Sequence, residues 1–171
     1  GIPEEVTAQS LLPLLDGGAS AYTSVLYGYF GGAVNITDGR YTYHRYPPDL
    51  RSQEIYQYTL MPTHIYEMFP VEELAEAELA MPFSFTKGAR LLKVPAKPGS
   101  AMSHNYGPEC FIEDDTRLYD LERDPGQETP IEAAEVEARL TVRMSQMMAE
   151  LGAPDEAFGR LKLSRPGGPV R

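Results

Sequence analysis

The stretch TRLYDLERDPGQETPIEAAEVEARLTVRMSQMMAEL, Thr116 to Leu151, reads as a strand, a turn and a long helix. Leu118 and Tyr119 beside Leu121 give a short half-buried strand over Thr116–Leu121, and Asp124-Pro125-Gly126 is turn chemistry that ends it. Thr129 predicts a helix N-cap, with Pro130 at the first helical position, where its missing N–H costs nothing, and Glu132 at the capping-box position. Val136, Leu140, Met144, Met147 and Leu151 then recur every three or four residues, which puts them on one face of a helix over 130–151. Gly152 is the predicted stop.

Such a helix needs a flat apolar partner, and the sequence offers one upstream. Ser24–Phe30 and Ala33–Tyr46 read as strands separated by Gly31-Gly32, and Asp38-Gly39 is a two-residue type I′ hairpin signal. With Asp38 and Gly39 as the turn, Thr37 faces Arg40, Ile36 faces Tyr41 and Val34 faces Tyr43. Val34, Ile36, Tyr41 and Tyr43 then share one face, and Asn35, Thr37, Arg40, Thr42 and His44 the other, which is polar and predicted to face solvent. The fold class is therefore α+β: a small antiparallel β-sheet with a long C-terminal amphipathic helix packed on one face.

Outside these elements the reading is coarser. Ser10–Leu15 is a compact apolar segment, predicted as a buried loop or short helix. Tyr56–Met61 is a further strand, Val71–Ala80 has helical composition, Thr86–Pro95 contains a strand, and Ala96–Asp115 is irregular and rich in turn residues. Pro154–Leu163 predicts a last short helix, and the Pro/Gly-rich Arg165–Arg171 a frayed tail. That amounts to about five strands and three helices in one domain.

The chain has 171 residues, 42% of them hydrophobic, enough for one domain with a core. Its net charge of −10 argues against nucleic acid or an anionic membrane as partner, because a phosphate-binding surface needs a positive stripe. A single cysteine, Cys110, excludes an intrachain disulfide and a cysteine-rich zinc site and leaves the compartment open. No signal peptide, transmembrane run or lipidation motif is visible, and the chain opens on a turn without an initiator methionine.

Three of these stretches resemble one family. LYDLERDPGQE, Leu118 to Glu128, followed by an amphipathic helix, resembles the C-terminal signature of the type I sulfatases, members of the alkaline phosphatase superfamily. There a leucine-tyrosine-aspartate-leucine strand runs into a DPGE or DPGQE turn; Pro130 and Ile131 stand where the family usually has asparagine and leucine. Gly1-Ile2-Pro3 with Ser10-Leu11-Leu12-Pro13-Leu14-Leu15 and Asp16-Gly17 resembles the family's GIP turn and SLLPLL segment, with Ala8 in place of a usual glycine. Asp38-Gly39-Arg40-Tyr41 resembles its glycine-arginine-tyrosine strand. The resemblance is weak from Pro47 to Pro108.

It implies the C-terminal subdomain of an arylsulfatase-like hydrolase, a fragment whose partner is its own catalytic N-terminal domain and whose parent cleaves small-molecule sulfate esters. The parent would use a formylglycine made from the cysteine or serine of a C/S-x-P-x-R motif, and calcium or magnesium held by aspartate pairs. Neither is found here: Cys110 is followed by Phe111-Ile112-Glu113, without the proline or arginine. The segment is thus expected to be non-catalytic alone and to lend loops to the pocket rim, with His64, His104 and Asn35 as rim candidates.

The three histidines are spaced too widely for one local metal motif. Only His64 has a carboxylate at helical spacing, Glu67, and it lacks a third ligand. His44 reads as a solvent-side strand residue, and Glu113-Asp114-Asp115 as a solvated acidic turn without calcium-loop spacing. Two other readings stay open: a phosphodiesterase or phosphonate hydrolase of the same superfamily, and a stand-alone binding or oligomerisation module. A severed subdomain should carry a large exposed apolar patch, and a self-sufficient module should not.

Overall fold

The computed structural model describes residues 6, 8–20, 22–50, 53–61, 63, 68–96 and 115–167. These form two antiparallel sheets and four α-helices. Strands β1 (Val25–Gly28), β2 (Val34–Thr37) and β3 (Tyr41–Arg45) form a meander, and β7 (Arg117–Asp120) closes it on the far side in the order β1-β2-β3-β7. Strands β4 (Tyr56–Thr59), β5 (Glu78–Ala80) and β6 (Leu91–Pro95) make a second sheet in the order β4-β6-β5. The helices are α1 (Leu12–Leu15), α2 (Val71–Leu74), α3 (Ala134–Glu150) and α4 (Asp155–Arg160).

The α+β class holds, with the long helix on one face of the first sheet. Ile36, Tyr43 and Leu118 from the strands meet Leu140, Met144 and Met148 from α3 and Phe158 and Leu161 from the α4 segment. Burying a large apolar side chain here is worth about 2 kcal/mol, so this cluster is the main cohesive element. The helix stripe differs from the predicted one at its end: Met148 is buried and Leu151 is exposed, because Leu151 is already the C-cap. Gly152 ends the helix at φ 75°, its N–H bonding the Ala149 carbonyl and Ala153 N–H bonding that of Met148, a Schellman pair.

The start of α3 corrects the capping-box prediction. Thr129 N–H is taken by Asp124 Oδ2 at 2.8 Å, and Ile131 N–H bonds the Leu118 carbonyl at 2.8 Å. The segment 129–132 therefore runs along the outer edge of β7, and the helix begins five residues beyond Thr129, behind an Ala133 N-cap with no side-chain bond.

The hairpin register is shifted by two from the predicted one: Ile36 pairs with Tyr43 and Thr37 with Thr42. The turn is Gly39-Arg40, with φ positive at Gly39 and not at Arg40, the type II′ pattern. Asp38 moves the turn by accepting the Arg40 and Tyr41 backbone N–H groups on Oδ1. A two-residue shift preserves the faces, so Val34, Ile36, Tyr41 and Tyr43 share the core side as predicted. The other face is covered at its centre and exposed only toward Arg40: Thr42 and Asn35 are buried, Tyr119 joins them, and Tyr27 lies over Thr42 and His44 with its hydroxyl bonded to both. His44 is half-buried against Tyr27 and Tyr119 rather than on the solvent side.

The second sheet exceeds the predicted strand count. Val71–Ala80 is helical only to Leu74; Glu78–Ala80 is drawn into a strand by pairing Leu79 with Leu92, a tertiary contact that overrides helical composition. Arg165, predicted in a frayed tail, is held by Ala153 and Asp155 and lies over the Phe158 ring; residues 168–171 are outside the described residues.

Candidate functional site

Of the three rim candidates, His64 and His104 lie outside the described residues, as does Cys110. Asn35 sits mid-strand in β2, opposite His44, with 6% exposure. Among the described residues its Oδ1 has no hydrogen-bond partner, an unusual state for a buried carbonyl oxygen. Among the described residues no three His, Cys, Asp or Glu side chains are grouped so as to hold a metal ion. The formylglycine implied by the resemblance has no C/S-x-P-x-R motif in this sequence to arise from.

The residues carrying the resemblance are tied to one another. Arg40 of the glycine-arginine-tyrosine strand bonds Asp120 of LYDL, Nη2 to Oδ2, at 3.1 Å across 80 residues of sequence. That guanidinium holds the Asp120 carboxyl below its ordinary value, against the opposing effect of burial. Burial raises the Asp38 carboxyl, but the Tyr41 N–H, Arg139 and the Arg40 N–H outweigh it and leave the net shift downward. Asp120 and Asp124 also accept turn N–H groups from Glu122 and Gln127 respectively. These motif residues set the geometry of the turn and the sheet edge.

A concavity lies elsewhere among the described residues, between the β1–β2 turn, the start of β4, and α4. It is about 420 Å³, walled by Tyr27, Tyr29, Tyr56, Tyr58 and Ile55. Its polar groups are Glu54, Glu156 and Arg160. The β1–β2 turn is tight: Gly32 N–H bonds the Tyr29 carbonyl with Gly31 at φ 74°, as a type II turn requires. Gly28 is fixed by close approach, since a Cβ there would lie 2.5 Å from the Ala33 carbonyl oxygen.

The turn presents its carbonyls inward. Gln53 Nε2 donates to Gly31 O at 2.8 Å and to Leu50 O at 2.7 Å. Arg160 Nη1 donates to Gly32 O at 2.7 Å and to Gln53 Oε1 at 3.0 Å. Both hydrogens of Nη1 are thereby used. Among the described residues, the Nε–Nη2 edge has no acceptor and no carboxylate pairs with Arg160. Burial without a counter-charge lowers its pKa to about 10. Tyr58 of β4 donates its hydroxyl to Glu156 of α4, and burial together with that carboxylate raises the phenol well above its usual range.

Sequence reasoning passed over this cleft. Its only local trace is Gly31-Gly32, read as a strand break; Arg160 meets Gly32 across 128 residues and Gln53 across 107. Comparison with known proteins gives no match to any family model, curated protein or solved structure.

Proposed function

We propose that this chain is the C-terminal subdomain of a type I sulfatase-like hydrolase, non-catalytic by itself, packing on the catalytic domain of its parent and contributing to the rim of the sulfate-ester pocket. The observation that carries this reading is the Ser10–Leu15 segment. Leu11, Leu12, Leu14 and Leu15 are 58%, 67%, 41% and 83% exposed, although the segment was predicted to be buried. Four leucines in one short helix and its N-cap, covered by nothing in the described residues, need an apolar surface to dock on, and the catalytic domain that the resemblance implies would supply one. The Arg40–Asp120 pair, which joins two of the resembling motifs, supports the same reading.

The test is to obtain the coding sequence upstream of Gly1 and assay the joined protein on 4-nitrophenyl sulfate and on bis(4-nitrophenyl) phosphate. A C/S-x-P-x-R motif upstream and sulfate-ester hydrolysis are expected. Diester hydrolysis without that motif would move the chain to the phosphodiesterase branch of the superfamily. A start codon immediately before Gly1 would overturn the subdomain reading.

A further inference from the structure

The tyrosine-walled cleft contains a cation whose pairing is incomplete. Arg160 is anchored through Nη1 alone, by a backbone carbonyl and a side-chain amide that is itself held by two further carbonyls. Its position is therefore fixed before any ligand arrives, and ordering a long side chain, usually an entropic cost of binding, has already been met. What remains is the Nε–Nη2 edge, two parallel N–H groups with the spacing of a carboxylate's two oxygens.

The surroundings restrict the anion. Glu54 and Glu156 line the same cleft, and in the adjoining hollow that they share with Arg160, Asp49 and Lys162 add one charge of each sign. One guanidinium beside two carboxylates tolerates a monoanion and repels a dianion, since like charges a few ångströms apart cost about 1 kcal/mol or more even near solvent. The planar edge matches a planar anion. The walls, Tyr27, Tyr29, Tyr56 and Tyr58, offer aromatic surface that favours an aromatic body. A volume of about 420 Å³ is within the range of small-molecule sites.

We propose that this cleft binds an aromatic carboxylate, its ring held among the tyrosines and its carboxylate on the Nε–Nη2 edge of Arg160. This site stands on the cleft alone, whether or not the chain belongs to a sulfatase-like parent.

Titration calorimetry of the 171-residue chain with 4-hydroxyphenylacetate, 4-hydroxyphenylacetamide and phenyl phosphate tests it. The acid should bind at least about tenfold more tightly than the neutral amide, the scale of one charge-assisted bidentate contact, and phenyl phosphate more weakly than the acid. Arg160→Lys, which keeps the charge but not the fork, should weaken the acid by about tenfold. Because Arg160 also ties down the β1–β2 turn, that variant risks the fold, and Glu54→Gln provides an independent check. Glu54 is exposed, so the substitution leaves packing alone, and removing its charge should tighten acid binding about two- to fivefold. Equal affinity for acid and amide, tighter binding of phenyl phosphate, no binding of the acid at millimolar concentration, or no gain in Glu54→Gln would each overturn the proposal.

Discussion

The two sheets are built from similar strands and end in different states. The β1-β2-β3-β7 sheet is closed on its core side by α3 and α4, with Ile36, Leu140, Met144 and Leu161 fully shielded from solvent. The β4-β6-β5 sheet buries Leu91 and Val94 but leaves Leu60, Leu79, Met81 and Phe85 exposed around it. What separates them is the helix each can recruit: seventeen residues of amphipathic α3 for the first, four residues of α2 for the second. A strand set of this size gains stability from the layer placed on it.

The sharpest way to break the comparison is a matched pair of truncations. Leu140→Ala, in the closed core, should cost about 3 kcal/mol, whereas Leu79→Ala, 61% exposed on β5, should stay within about 0.5 kcal/mol, both measured by urea unfolding followed by circular dichroism. Equal losses would mean that the second sheet is as well packed as the first.

Tyr58→Phe is the next largest. It removes the hydroxyl that joins β4 to Glu156 of α4, and should cost about 1 kcal/mol. The loss should fall on one side, with faster hydrogen exchange at β4 and β6 amides and unchanged exchange at β2 and β3. Uniform acceleration would show that the sheets unfold as one unit.

Acid separates the regions differently. Asp38 and Asp120, both on the first sheet, have lowered pKa values, so they bind protons less readily folded than unfolded. Their contribution is complete above the unfolded value near 3.8 and is lost as pH falls through the lower folded values. The urea midpoint should therefore decline below about pH 4, and Asp120→Asn should flatten part of that decline. The smallest effect is at α1, where Leu15→Asp should change stability by less than about 0.5 kcal/mol yet reduce binding of a hydrophobic dye. An unchanged dye signal would place the sticky surface on the second sheet instead.

Much of the first sheet was legible in the sequence because its signals are local. Alternation assigned Val34, Ile36, Tyr41 and Tyr43 to one face, helical spacing picked out Leu140 and Met144, and Gly152 marked the stop. Register and cap position escaped because they depend on which side chain claims an N–H group: Asp38 moved the turn, and Asp124 and Leu118 moved the helix start. Strand β5 escaped because Glu78 and Ala80 have no strand preference of their own and are recruited by β6. Arg160 looked like an ordinary surface residue on a short helix. Its role arises only when Gly32 and Gln53, more than a hundred positions upstream, are brought beside it.

The pairing of β3 with β7 has a consequence for synthesis. Arg40 and Asp120 are 80 residues apart, so the strand that completes the sheet, and the helix that covers it, leave the ribosome long after the hairpin they complete. Contacts of such long range slow folding, and until they form the β2–β3 hairpin carries Ile36 and Tyr43 uncovered. A nascent chain arrested before Arg117 would be a natural client for a holding chaperone, and release should become possible only once α3 has emerged.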